Sequence, residues 1–153
     1  MSRESPAGRS EFKVWQSFTT RWADNDAYGH VNTTVFYQWF DSAVNAWLVA
    51  QGLLDIQAGD PIALVVETRC AYLSPLAFPE AVDVGLAVAQ LGRSSVRYEI
   101  GLFAGDAPDS AAAGHFVHVY VDRETRRPVP LPEALKAVLR TWIVNPNPGT
   151  PAQ

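Results

Sequence analysis

The chain has 153 residues, of which 48% are hydrophobic and 18% charged, and its formal net charge is -4. That length suits one domain with its own core, the composition is globular rather than disordered or fibrous, and the acidic balance argues against nucleic acid as the main partner, because phosphate backbones select basic surfaces. The lone cysteine, Cys70, excludes an intrachain disulfide and a paired-cysteine zinc or redox site; no apolar run has the length of a bilayer span or the form of a signal peptide, so a cytoplasmic protein that does not enter membranes is expected.

Residues 1–10 are small and polar and residues 144–153 are rich in Pro and Asn, so both read as flexible tails around a single domain over 11–143. In the segment 12–21, Phe12, Val14 and Phe18 alternate with Lys13 and Ser17, the pattern of a half-buried strand. A turn-rich loop, Asp24-Asn25-Asp26-Ala27-Tyr28-Gly29, follows it.

From about 32 to 50 the period changes to that of a helix. Thr34, Gln38, Asp41, Ser42 and Asn45 fall three and four apart and form one narrow polar stripe, while Val35, Phe36, Trp39, Phe40, Ala43, Val44, Trp47 and Leu48 fill the rest. Such a helix is buried on most sides. Asn32 or Thr33 suits its N-cap and Gly52 its C-terminal stop.

Four segments of strand character come next, 62–73, 81–91, 94–103 and 111–121, parted by turn residues such as Ser74-Pro75 and Gly105-Asp106-Ala107-Pro108. In the third, Val96, Tyr98, Ile100 and Leu102 alternate with Arg97, Glu99 and Gly101, the period of a two-faced antiparallel strand. A short helix over 132–142 closes the pattern. Strand, long buried helix, then four strands implies an α+β domain in which an antiparallel sheet of about five strands wraps around a central helix; strand segments apolar on both faces, such as 113–121, imply an oligomer.

The stretch Arg21-Trp-Ala-Asp-Asn-Asp-Ala-Tyr-Gly-His-Val-Asn-Thr-Thr-Val-Phe-Tyr-Gln-Trp-Phe-Asp41 resembles the signature of the 4-hydroxybenzoyl-CoA thioesterase-like branch of the hotdog superfamily: an acidic residue, any residue, Asp, two residues, Gly-His-Val-Asn, then an aromatic-rich helix. The segments 69–80, 91–96 and 121–132 resemble that family's proline hairpin, next turn and closing strand with last helix. The resemblance implies the hotdog fold, an acyl-CoA thioesterase, and a homodimer or homotetramer with sites at the dimer interface. It implies that Asp26 is the nucleophile or the general base for water, with the thioester carbonyl near the helix start. Plant acyl-carrier-protein thioesterases carry Asp-x-Asn-x-His, and here Tyr28 stands where that asparagine would be, between Asp26 and His30.

Thioester hydrolysis needs a base or nucleophile beside the carbonyl and donors where charge develops on its oxygen. Asp26 supplies the first, His30 is a second candidate for orienting substrate or water, and the unpaired N–H groups of the helix start, over Val31, Asn32, Thr33 and Thr34, are candidates for polarising the oxygen. No metal and no separate cofactor is needed, since CoA is part of the substrate. Asp24 is read as structural, bonding Arg21 or stabilising the turn. Asp41, on the polar stripe, is the second carboxylate candidate. Arg93 and Arg97 are candidates to meet the CoA phosphates, with Arg123, Arg126 and Arg127 also available.

His115 and His118 fall on opposite faces of the last strand, which argues against a shared metal site, and Ser94 and Ser95 lack the Gly-x-Ser-x-Gly elbow of a nucleophile. Two other functions compete: a hotdog hydratase or dehydratase, whose Gly-Asp-x-Asn-Pro-x-His or Phe-Pro-Gly segments do not occur here, and a non-catalytic acyl-thioester binding protein.

Overall fold

The computed structural model describes residues 5–143. Its strands are β1 (Val14–Thr19), β2 (Ile62–Tyr72), β3 (Ala81–Leu91), β4 (Ser95–Ala104) and β5 (Ala112–Val121), with a long helix α1 (Thr33–Ala50) and a short one, α2 (Glu133–Leu139), that runs into a 3-10 turn, Arg140–Trp142. The strands form one antiparallel sheet in the order β1-β3-β4-β5-β2. This is the expected α+β hotdog architecture, with the sheet curled against α1.

Periodicity explains the packing. One face of the sheet presents Val84, Leu86, Tyr98, Ile100, Leu102 and Phe116, and these meet Phe36, Phe40, Val44 and Leu48 of α1 in the main core. The polar stripe of α1 points away from it: Thr34, Gln38, Asp41 and Ser42 are exposed. The helix starts at Asn32, whose side-chain oxygen accepts the N–H of Thr34 at 3.0 Å, and it ends in a Schellman motif. There Gly52 takes a φ of 69°, its N–H donates to the Val49 carbonyl, and the Leu53 N–H donates to that of Leu48.

The first strand begins later than the sequence pattern suggests. Val14 and Phe18 pack on the main core, whereas Phe12 crosses to the outer face of the sheet and packs with Ala87 and Phe103. Two strand glycines make room for it: a Cβ at Gly85 or Gly101 would stand 2.8 or 2.6 Å from the Phe12 ring. Residues 7–10, placed in the N-terminal tail by composition, are tied to the sheet. The Ala7 N–H donates to Ser110 Oγ, and the Arg9 guanidinium donates to the carbonyls of Ala107 and Gly105 and to Asp83. Small polar residues gave no hint of this, because the contacts come from a loop about a hundred residues away in sequence. The expectation for 144–153 lies outside the described residues.

His115 and His118 do face opposite ways. His118, 2% exposed, lies in the main core among the rings of Tyr98, Phe116 and Tyr120, and its Nδ1 has no hydrogen-bond partner among the described residues. Burial lowers its pKa to about 4. The unfolded chain therefore takes up this proton as pH falls through about 6.5, while the folded chain resists until about pH 4. Stability from the neutral imidazole is complete above about pH 6.5 and is lost across that window. Urea titrations at pH 7.5 and 4.5 should show a loss of roughly 2 to 3 kcal/mol that is absent in His118→Phe; an equal loss in both proteins would assign the pH sensitivity elsewhere.

Candidate active site

The loop between β1 and α1 is built from its own side chains. Asp24, 2% exposed, closes a 3-10 turn (Trp22–Asp24) by accepting the Arg21 N–H at 2.8 Å and two guanidinium N–H groups at 3.0 and 2.8 Å. Burial alone would push its carboxyl up, but the hydrogen bonds and charge of Arg21 outweigh it and hold it below its ordinary value. Asp24 is thus the fixed, structural carboxylate of the pair.

Asp26 is placed differently. Its backbone N–H donates to the His30 carbonyl at 2.8 Å and its own carbonyl accepts from Gly29, which turns the chain at a φ of 82°. One carboxylate oxygen, Oδ1, accepts the Tyr28 N–H at 2.8 Å, while Oδ2 has no hydrogen-bond partner among the described residues. The side chain is half-buried, so one oxygen is held and the other is available.

The N–H groups of the helix start divide. Val31 donates to the Leu76 carbonyl at 2.7 Å, Asn32 to the Asp24 carbonyl at 2.8 Å, and Thr34 to Asn32 Oδ1 at 3.0 Å. All three are engaged, Val31 by the connection between β2 and β3 and the other two within the loop before α1. The N–H groups of His30 and Thr33 have no acceptor among the described residues. The His30 side chain is exposed.

A second loop, between β2 and β3, is sewn to this one. Asn25 Oδ1 accepts the Phe78 N–H at 3.0 Å, the Phe78 ring meets Trp22 edge-on, and Tyr72 Oη donates to the Thr33 carbonyl at 3.2 Å. Asn25 is the residue that sequence reasoning passed over; its partner lies 53 positions away, and no local pattern marks such a contact. Trp22 and Tyr28, in the same loop as Asp26, are 78% and 88% exposed.

Other candidates lie apart. Asp41 is eight residues beyond Thr33, about 12 Å along the helix axis, where it accepts from Asn45 Nδ2 at 3.0 Å. Arg97 projects from the outer face of the sheet, bonded to Glu99 and to His115 Nδ1, whose Nε2 meets Glu67 at 2.6 Å. Arg93 occupies the β3–β4 turn, one strand length from Asp26 and so about 30 Å away. A single chain does not bring Arg93 or Arg97 to Asp26. Ser94 belongs to that same turn, with Ser95 opening β4. Among the described residues no group of three or more His, Cys, Asp or Glu could hold a metal ion, and no helix is long and apolar enough to cross a membrane.

Comparison with known proteins agrees with this fold. Residues 20–139 match the family model described as the thioesterase-like superfamily. The PA5185 protein of Pseudomonas aeruginosa is 45% identical and superposes with a TM-score of 0.89, over 94% of this chain and 100% of that one. A thioesterase from Thermus thermophilus, solved with coenzyme A and Zn, is 32% identical with a TM-score of 0.73, over 84% and 98% of the two chains. A 1,4-dihydroxy-2-naphthoyl-CoA thioesterase from Synechocystis shares the fold at 20% identity, with a TM-score of 0.75 over 82% and 94%. Among curated proteins there is no significant match. Sheet order, the loop before α1 and the match over 20–139 together show that the chain belongs to the thioesterase-like superfamily, with the hotdog fold.

Proposed function

We propose that the protein hydrolyses an acyl- or aroyl-CoA to the free acid and CoA, with Asp26 as nucleophile or general base. The observation that carries this reading is the pairing of a half-free carboxylate with two open N–H donors at one helix entrance. As base, Asp26 Oδ2 takes a proton from water while the water oxygen attacks the thioester carbon. As nucleophile, the same oxygen forms a mixed anhydride that water then cleaves. In either course the N–H groups of Thr33 and His30 receive the developing oxyanion, and the positive end of α1 supports them. Collapse breaks the C–S bond and releases the CoA thiolate, a better leaving group than the alkoxide of an oxygen ester.

The coenzyme A bound by the Thermus relative supports a CoA thioester as substrate. Thiol release from a panel of acyl- and aroyl-CoA esters tests the reading, and EDTA should leave it unchanged. No release from any ester, or release that stops on chelation and returns with added zinc, would overturn the metal-free carboxylate scheme.

A dimer is part of the proposal. The β2 edge is eleven residues long and carries Leu64, Val65 and Val66 at 37%, 46% and 60% exposure, the kind of edge that recruits another strand. Two β2 strands paired antiparallel about a two-fold axis would set Ile62 of one copy beside Tyr72 of the other. Each Asp26 would then share an end of the assembly with Arg93 of its partner, which restores Arg93 as a contact for CoA phosphates. Sedimentation should show a dimer, or a tetramer of two such dimers, at micromolar concentration, and Val66→Asp should shift it toward monomer. A stable, fully active monomer would sink this arrangement.

A further inference from the structure

Tyr72 ends β2 with its side chain against the first turn of α1. It pairs with Ala112 of β5, and the two N–H groups that follow it, of Leu73 and Ser74, both donate to the Ala111 carbonyl, at 2.9 and 3.0 Å. The end of the strand is thereby fixed to the sheet. From this anchored position the Tyr72 ring meets Phe36 edge-on at 5.0 Å, and its hydroxyl donates to the Thr33 carbonyl at 3.2 Å.

The connection that leaves β2 grips the same stretch a second time, because the Leu76 carbonyl accepts the Val31 N–H at 2.7 Å. These two contacts, at Val31 and at the Thr33 carbonyl, flank the Thr33 N–H, one of the two open donors at the helix entrance. Between them, Asn32 donates its N–H to the Asp24 carbonyl and caps Thr34 with its side chain. A peptide N–H whose chain is fixed on both sides keeps one direction. An oxyanion donor needs that, since its stabilisation comes from being aimed beforehand at the place where charge develops. The helix dipole favours negative charge over the whole first turn and does not choose the direction of a single N–H.

We propose that Tyr72 is a positioning residue for thioester hydrolysis: by bonding the Thr33 carbonyl to the end of β2, it holds the Thr33 N–H on the developing oxyanion. This rests on the hydrolysis reading given above. Burial, with Cys70 and Tyr37 nearby, pushes the pKa of the Tyr72 hydroxyl up to about 12, so it remains a donor at neutral pH. The residue is 44% exposed, so water has access to replace that hydroxyl if it is removed. A water satisfies the carbonyl but does not tie it to the sheet, so loss of the hydroxyl removes placement and costs little stability.

Tyr72→Phe keeps the ring beside Phe36 and removes the bond. Against the CoA ester that the parent hydrolyses fastest, kcat should fall about tenfold or more, as for a displaced oxyanion donor, with KM unchanged within about twofold. Tm should stay within about 2 °C of the parent. In the amide NMR spectrum of the free protein, the signals of Thr33 and of Thr34, whose peptide carries the Thr33 carbonyl, should move, and that of Val31 should move less. Unchanged kcat, a loss carried by KM alone, or unmoved Thr33 and Thr34 signals would overturn the assignment. A parent chain that releases thiol from no ester would instead end the hydrolysis reading, and this assignment with it, whatever the spectrum shows.

Discussion

Asp26→Asn is expected to fold as the parent does and to lose at least about 100-fold in kcat, since a positioned base alone contributes roughly 100- to 10,000-fold. The loop geometry is what makes this a clean experiment. The amide oxygen of asparagine can still accept the Tyr28 N–H that Asp26 Oδ1 accepts at 2.8 Å, and the backbone bond from residue 26 to the His30 carbonyl does not involve the side chain. What is lost is the charge on Oδ2, and with it both the nucleophile and the base. Binding of acyl-CoA should be retained or improve, because a charge repelling the phosphates has gone. Asp41→Asn should cost much less, as that carboxylate lies farther along the helix against Asn45. Near-normal turnover in a folded Asp26→Asn protein would overturn the assignment, and a collapse confined to Asp41→Asn would move the catalyst onto the helix.

How much of this was legible in the sequence depends on how local the determining contacts are. The helix was legible because its five stripe residues are set by a period of 3.6, and Asn32 and Gly52 carry their capping roles in their own side chain or lack of one. The alternation in β4 likewise announced which residues enter the core. Contacts that depend on chain segments far apart were not legible. Phe12 has the right spacing to continue β1, yet it packs over Gly85 and Gly101, and only the sheet register reveals that opening.

The site shows the same division. The Arg21–Asp24 pair lies within four residues and was expected; the Asn25–Phe78 tether joins two loops and was not. A helix start predicts several open N–H groups in general, but which remain open here is decided by Leu76, Asp24 and Asn32 as acceptors, leaving Thr33 and His30. Arg97 illustrates the cost of reading charge without a face. Its alternation with Val96 and Tyr98 already places it on the outer side of the sheet, and there His115 and Glu99 engage it.

Gly114→Ala should be the most damaging single-methyl change in the sheet. Gly114 in β5 pairs with Cys70 in β2 on one side and with Ile100 in β4 on the other. A Cβ at this position would lie 1.8 Å from the Arg69 carbonyl oxygen and 2.8 Å from its carbon. Both are backbone atoms, so no rotamer change relieves the overlap. Nor can β5 retreat, because its other edge is hydrogen-bonded to β4 along the strand. The remaining relief is to part β2 from β5, which breaks ladder hydrogen bonds at the sheet edge and loosens Tyr72, whose hydroxyl holds the start of α1 at the Thr33 carbonyl. Overpacking against fixed backbone belongs to the upper tail of point-mutation effects, roughly 4 kcal/mol or more, and for a domain of this size that lowers Tm by about 10 °C or more. Because the strain reaches the helix entrance through Tyr72, turnover should fall even below the new melting temperature. A Gly114→Ala protein that melts within about 2 °C of the parent would show that β2 and β5 can separate at this point at little cost, and that the close approach at Gly114 does not hold the edge of the sheet.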